Sequence, residues 1–178
     1  MGIKQYTCPF NLNLPRMGYF ICYRHKKGWI GDAISKAQRA KGFSDEDSLY
    51  THVEVSGGGP NAVCVAPPKT RIVDIRKKYK GRHIKIMAYE GYYGNRKRYK
   101  VAFWSASKSN LQYDFLGILS FVTKLVSQAR SRFFCSENCL WSLQKEFDWA
   151  LNLAPADCMP AHFVLSDDMI CVWEGDIP

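Results

Sequence analysis

Two cysteines stand four residues apart where the amphipathic pattern of a helix begins. They are Cys135 and Cys139 in the stretch RFFCSENCLW. Residues at i and i+4 share a helix face, so the pair can be core side chains, two metal ligands, or a nucleophile and its packing neighbour. Cys135 lies at the predicted helix N-terminus, where unpaired N–H groups and the helix dipole favour a thiolate. Glu137 opposes this effect with a carboxylate at the same end. A nucleophilic Cys135 therefore needs a basic partner.

His52 is the strongest candidate for that partner among the four histidines. It lies in YTHVEVS (50–56), an alternating stretch rich in β-forming residues. Side chains alternate along a strand, so His52 and Glu54 point to one face while Val53 and Val55 point to the other. An imidazole beside a carboxylate is the arrangement of a general base with its orienting group. The alternative is a histidine exposed at the edge of a sheet.

A zinc site is the second interpretation of the cysteine pair. Cys158 and His162 in the segment CMPAH would complete a set of three thiolates and one imidazole with Cys135 and Cys139. Zinc knuckles, however, are usually built on Cys-x2-Cys spacing, and these pairs are spaced more widely. We therefore expect Cys139 to be a packing residue, and we expect no metal or cofactor.

The composition predicts one globular domain spanning residues 1–178. The chain is 47% hydrophobic and 23% charged, and no apolar run approaches the ~18 residues that cross a bilayer. We read no secretion signal at the start. Seven cysteines without regular spacing favour free thiols in a reducing compartment. The expected location is the cytoplasm.

Positive charge is concentrated in one part of the chain. Residues 69–100 contain twelve lysines and arginines and two acidic residues, whereas the net charge of the whole chain is +9. Five tyrosines lie among these cations, a composition that suits RNA, single-stranded DNA or an anionic lipid surface. The alternative is a solvated face that maintains solubility. The candidate polyanion contacts are Lys77, Lys78, Lys80, Arg82, Arg96, Lys97 and Arg98.

The order of predicted elements indicates an α+β fold. Strands are predicted at 17–24, 50–56, 61–66, 70–75 and 82–89. The second and third form a hairpin around GGGP, and a short helix at 31–42 has Asp32 as its N-cap and Gly42 as its stop. Strands and helices are thus segregated rather than alternating.

The later part of the chain is predicted to be mainly helical. Helices are expected at 95–108, at 113–130 and at 136–151, and Pro155 ends the last of them. Tyr99, Phe103 and Ala106 share a face of the first helix. The third helix points Leu140, Leu143, Phe147 and Leu151 inward. HFVL and ICVW, around SDD, are predicted to form a terminal hairpin.

Three motifs in order, THVEV, QYDF and FFCSE, resemble circularly permuted NlpC-like papain-fold proteins of the YiiX and YaeF type. The similarity runs from about residue 15 to about residue 165. The entry strand is RMGYFICYR, with Tyr19 where the family usually has Asp. The resemblance implies a papain-like fold with a small antiparallel sheet packed on a helical layer. It also implies a structural role for Tyr113 and Asp114.

The resemblance further implies a cysteine hydrolase or acyltransferase. Cys135 matches the nucleophile and His52 the general base, acting on an amide, thioester or ester bond of a small molecule, an acyl lipid or a peptide. The third polar residue of the family falls on Cys64 or Val65 here, and neither orients an imidazole well, so Glu54 is its substitute. Residues two apart on a strand are roughly 6–7 Å apart at Cα. We therefore expect Glu54 to reach His52 only through a bend or a water. The alternative is a lapsed enzyme that binds lipid, peptide or nucleic acid through residues 69–100.

Overall fold

A computed structural model describes residues 15–26, 28–92, 94–109 and 134–178. Its strands are β1 (Phe20–Arg24), β2 (Tyr50–Gly58), β3 (Asn61–Cys64), β4 (Arg71–Asp74), β5 (His83–Tyr89) and β6 (Met169–Asp176). Its α-helices are α1 (Trp29–Ala40), α2 (Ile75–Lys78), α3 (Asn95–Ala106), α4 (Cys135–Gln144) and α5 (Pro160–Leu165). Tyr113, Asp114 and the whole helix predicted at 113–130 lie outside the described residues.

The six strands form one antiparallel sheet in the order β4-β3-β2-β1-β5-β6. The predicted α+β class is confirmed. The predicted hairpin is also present, since Val55 pairs with Val63 across β2 and β3. Gly58 and Gly59 turn the chain between these strands with φ of 91° and 58°. Glycine adopts this left-handed conformation without the steric cost that a Cβ would bring.

β1 is buried on both faces, so it separates two apolar clusters. Phe20 and Cys22 point into the larger cluster, which includes residues of α3, α4 and α5. Ile21 and Tyr23 point the other way, into a cluster that α2 and the C-terminal residues help to form. The alternation of the strand thus sets both layers of the core.

The structure corrects three predictions about the helices and the chain end. α1 begins after Gly28, and Asp32 lies in its first turn, where it bonds His25 at 2.8 Å instead of capping the helix. The shared face of Tyr99 and Phe103 on α3 is exposed. Helix α4 is shorter than predicted and ends at Gln144. The segment HFVL belongs to helix α5 and not to a strand, whereas ICVW lies in β6 as predicted.

The inner face of α3 is formed by Arg98, Val101, Ala102 and Ser105, all of them buried. In α4 the predicted inward residues Leu140 and Leu143 are fully buried. HFVL is helical because Pro160 occupies the first turn, where its missing N–H costs nothing. Within the described ranges, no helix combines the length and the apolar character needed to cross a bilayer.

Candidate functional site

The start of α4 meets β2 at the point where β3 ends. Strand pairing between β2 and β3 begins at Val55 and Val63, and β3 stops at Cys64, so β2 extends past its neighbour. The backbone of Val53 lies in this extension. Its C=O accepts a hydrogen bond from the Cys139 thiol at 3.7 Å, and its N–H lowers the pKa of the Cys135 thiol. At Val53 there is no neighbouring residue of β3, and Cys135 and Cys139 of α4 lie against its backbone instead.

His52 connects Cys135 to Glu54. Its Nε2 lies 2.9 Å from Glu54 Oε1, and the Cys135 thiol lies close enough to the ring to raise its pKa. Of the two routes expected from the Cα spacing, a bent approach or a water, the structure has a direct contact between the two side chains. The three predicted site residues are brought together, with Cys135 and Glu54 buried and the His52 side chain 17% exposed.

Mutual attraction sets the charge states of His52 and Cys135. Burial favours a neutral imidazole, but the charge and hydrogen bond of Cys135 outweigh it and raise the pKa of His52 well above its usual value. Burial likewise favours a neutral thiol, but the charge and hydrogen bond of His52 outweigh it and lower the pKa of Cys135. The N–H groups of Val53 and Ser136 add to this lowering. The two shifts favour the thiolate–imidazolium pair over the neutral pair, which places a nucleophile beside an acid.

Glu54 is fully buried but has several donors. Tyr23 donates to Oε2 at 3.0 Å, the Tyr79 hydroxyl donates to Oε1, and the Lys78 ammonium lies 3.7 Å from Oε1. Burial raises the pKa of Glu54, but the hydrogen bond and charge of His52 outweigh it, with help from Lys78, and lower that pKa to about 2. Glu54 is therefore a carboxylate at neutral pH and stabilises the imidazolium beside it.

Sequence reasoning missed the residues that hold Glu54. The alternation of β1 places Tyr23 on the inner face opposite His52, because Tyr23 pairs with His52 in the β1–β2 register. Lys78 is the last residue of α2 and Tyr79 follows it. No local pattern in the sequence shows that these two residues reach β2. Cys64, considered only as the third polar residue, lies within 4.8 Å of the ligand atoms of both His52 and Glu54.

The zinc set proposed from the sequence does not come together. Cys158 and Cys139 are fully buried, and burial first of all raises the pKa of each thiol well above its usual value. His162 accepts a hydrogen bond from the Met159 N–H through Nδ1 at 2.9 Å. Among the described residues, the one group of His, Cys, Asp and Glu atoms close enough for a single ion is His52, Glu54 and Cys64. Lys78 already places a cation against two of these three residues.

Glu137 and several residues of the basic stretch make contacts within the protein. The Glu137 carboxylate accepts from the Phe134 N–H at 3.4 Å. Three of the seven candidate polyanion contacts are engaged in the protein itself: Lys78 at Glu54, Arg82 at the Arg24 carbonyl, and Arg98 inside α3's buried face. Lys77, Lys80, Arg96 and Lys97 are exposed, and so is Lys78 although its ammonium contacts Glu54.

Comparison with known proteins gives no family model that matches the chain and no match among curated proteins.

Proposed function

We propose that the protein is a thiol hydrolase or acyltransferase in which Cys135 attacks an amide, thioester or ester carbonyl. One observation carries the proposal: the His52 imidazole contacts the buried Glu54 carboxylate at 2.9 Å and interacts with the Cys135 thiol at the start of α4. This is the order of nucleophile, base and orienting group that acyl transfer through cysteine needs. We propose with it that the fold is papain-like, with the helix that begins at the nucleophile packed on the strand that bears the base.

The reaction divides between the three side chains. The Cys135 thiolate attacks the carbonyl carbon, and the His52 imidazolium protonates the leaving group to give an acyl-enzyme. His52, now neutral, takes a proton from water or from an acceptor alcohol, amine or thiol, which releases the acyl group. Glu54 stays ionised, keeps the imidazole ring in place and stabilises its charged form.

The oxyanion of the tetrahedral intermediate needs N–H donors near Cys135. Cys135 is the first residue of α4, where a backbone N–H has no partner within the helix. The positive end of the helix dipole lies at the same position. We assign the Cys135 N–H as one oxyanion donor. The six free cysteines among the described residues suit a reducing compartment, and we propose the cytoplasm as the site of the reaction.

Acyl-enzyme formation tests the proposal. The protein is mixed with a panel of activated acyl donors, namely a p-nitrophenyl ester, a small thioester and an anilide. We expect a burst of about one leaving group per chain with at least one donor, and an acyl mass on the peptide that contains Cys135. Cys135→Ser should abolish the burst. Cys171→Ser is the matched control, because Cys171 is a partly exposed thiol on β6, which β1 and β5 separate from β2 in the sheet.

The outcome separates a reactive site from general thiol chemistry. A burst that survives Cys171→Ser and is lost in both Cys135→Ser and His52→Ala supports the proposal. Acylation spread over several cysteines, or equal in the wild type and His52→Ala, would contradict it. Unfolding curves of each variant at neutral pH show whether a loss of acylation reflects a loss of structure.

A further inference from the structure

A lysine and a cysteine that the proposed reaction does not use lie in close contact beside the site. Lys78 Nζ is 2.5 Å from Cys64 Sγ. Cys64 is fully buried at the end of β3, and the Lys78 side chain is 28% exposed at the end of α2. Both residues also contact Glu54.

This separation is too short for a hydrogen bond to sulfur. Thiols elsewhere in the described residues make hydrogen bonds of 3.6–3.7 Å, including the contact between Cys64 and the Tyr79 hydroxyl. Even N–H···O bonds, to the smaller oxygen atom, are about 2.7–3.2 Å long. A direct bond to sulfur is shorter, about 2 Å in a disulfide. Nitrogen and sulfur joined through one shared oxygen atom fall between these limits.

We propose that Cys64 and Lys78 are a modification site, at which a peroxide links them covalently as an N–O–S bridge. The geometry supports it in two ways: the two atoms already have the separation that the bridge requires, and the ammonium is the cation nearest the thiol. Oxidation is selective for thiols beside cations. The partly exposed Lys78 side chain gives a small oxidant its path to the buried sulfur.

The chemistry balances with two molecules of hydrogen peroxide. The first oxidises the Cys64 thiol to a sulfenic acid, forming the S–O bond and one water. Lys78 then loses a proton to give the amine. The N–O bond forms as one N–H and the sulfenic O–H bond break, and the second peroxide takes up these two hydrogens and two electrons to become two waters. Four thiol groups of a reductant reverse both steps, restoring thiol and amine with one water and two disulfides.

The bridge would change the surroundings of His52. It removes the Lys78 positive charge 3.7 Å from Glu54 and the free Cys64 thiol, whose sulfur lies within 4.8 Å of a His52 ring nitrogen. This effect on the reaction rests on the proposed function, whereas the bridge itself does not. The test therefore measures the bridge by mass alone.

The experiment uses the full chain with Cys135→Ser, so that Cys135 does not consume the oxidant. The reduced protein is treated with a small excess of hydrogen peroxide, digested without reductant and analysed by mass spectrometry. We expect a linked pair of peptides containing Cys64 and Lys78, about 14 Da heavier than their sum because one oxygen is gained and two hydrogens are lost. Dithiothreitol should return the two separate peptides.

Lys77→Arg is the matched control for Lys78→Arg, since Lys77 is an exposed neighbour on the same short helix. The linked pair should persist in Lys77→Arg and disappear in Lys78→Arg, with both variants folded by circular dichroism. Four results would overturn the proposal: no linked pair in the Cys135→Ser chain, a sulfinic acid at Cys64, a disulfide from Cys64, or a linked pair that survives Lys78→Arg.

Discussion

Replacing Glu54 with glutamine removes the one buried carboxylate of the site while keeping its shape. Glu54 is fully buried and accepts hydrogen bonds from Tyr23 and Tyr79 as well as from His52. The glutamine side chain still accepts hydrogen bonds through its one oxygen. Its NH2 group, however, is a donor placed where three other donors already point. We expect Glu54→Gln to lower the free energy of unfolding and to make that free energy less dependent on acid pH.

The size of the effect follows from the pKa of Glu54. Its surroundings lower that pKa from 4.5 to about 2, and each pKa unit corresponds to about 1.4 kcal/mol. The ionised carboxylate therefore contributes about 3 kcal/mol of stability. A carboxyl group with a depressed pKa gives this stability fully above pH 4.5, and the contribution is lost as the pH falls through about 2.

The assay is urea unfolding of the wild type and Glu54→Gln at several pH values from 7 down to the lowest at which both fold. The stability difference should be about 3 kcal/mol at pH 7 and should shrink with acid below pH 4.5. Glu46→Gln is the control, because Glu46 forms an exposed ion pair with Arg24 and should contribute about 0–1 kcal/mol. Parallel stability–pH curves for the wild type and Glu54→Gln would refute the reasoning.

Three further substitutions test the packing around the site. Gln38→Ala removes three buried hydrogen bonds to backbone groups of three segments and should cost about 3 kcal/mol in urea unfolding; a loss below about 1 kcal/mol would contradict the role of Gln38 as a link. Leu143→Ala, in the core under α4, should cost about 2–5 kcal/mol in the same assay, and a neutral result would place Leu143 outside the core. Cys139→Ala should leave the alkylation rate of Cys135 within about threefold, because burial raises the pKa of the Cys139 thiol. A tenfold loss by mass spectrometry would show that the two thiols act together.

The sheet was largely predictable from the sequence because its strands alternate or are continuously apolar. The hairpin at 50–66 and the strands near residues 71 and 83 follow from this pattern and from the glycines between them. The inner face of α3 was not predictable, because it buries Arg98 and Ser105 and leaves Phe103 exposed. Tertiary packing there overrides the simple rule that apolar residues face inward.

The candidate site was predictable in part. Cys135 at a helix start and the His52–Glu54 pair on one strand face are local patterns. What the sequence did not reveal is why the pair makes direct contact, since that depends on Tyr23 from the neighbouring strand and on Tyr79 after α2. Both residues reach Glu54 across the fold rather than along the chain, and no periodicity reports such contacts.

The pH dependence of Cys135 alkylation tests the central claim most directly. The rate of iodoacetamide labelling at each cysteine is measured by mass spectrometry from pH 5 to pH 9 in the wild type and in His52→Ala. We expect wild-type Cys135 to react faster than the other six cysteines at pH 6 and to gain less rate with rising pH than they do, because the His52 charge lowers its pKa. In His52→Ala the rate should fall at pH 6 and rise about tenfold per pH unit, as for an ordinary thiol. A wild-type rate that already rises tenfold per unit, unchanged by His52→Ala, would contradict the account.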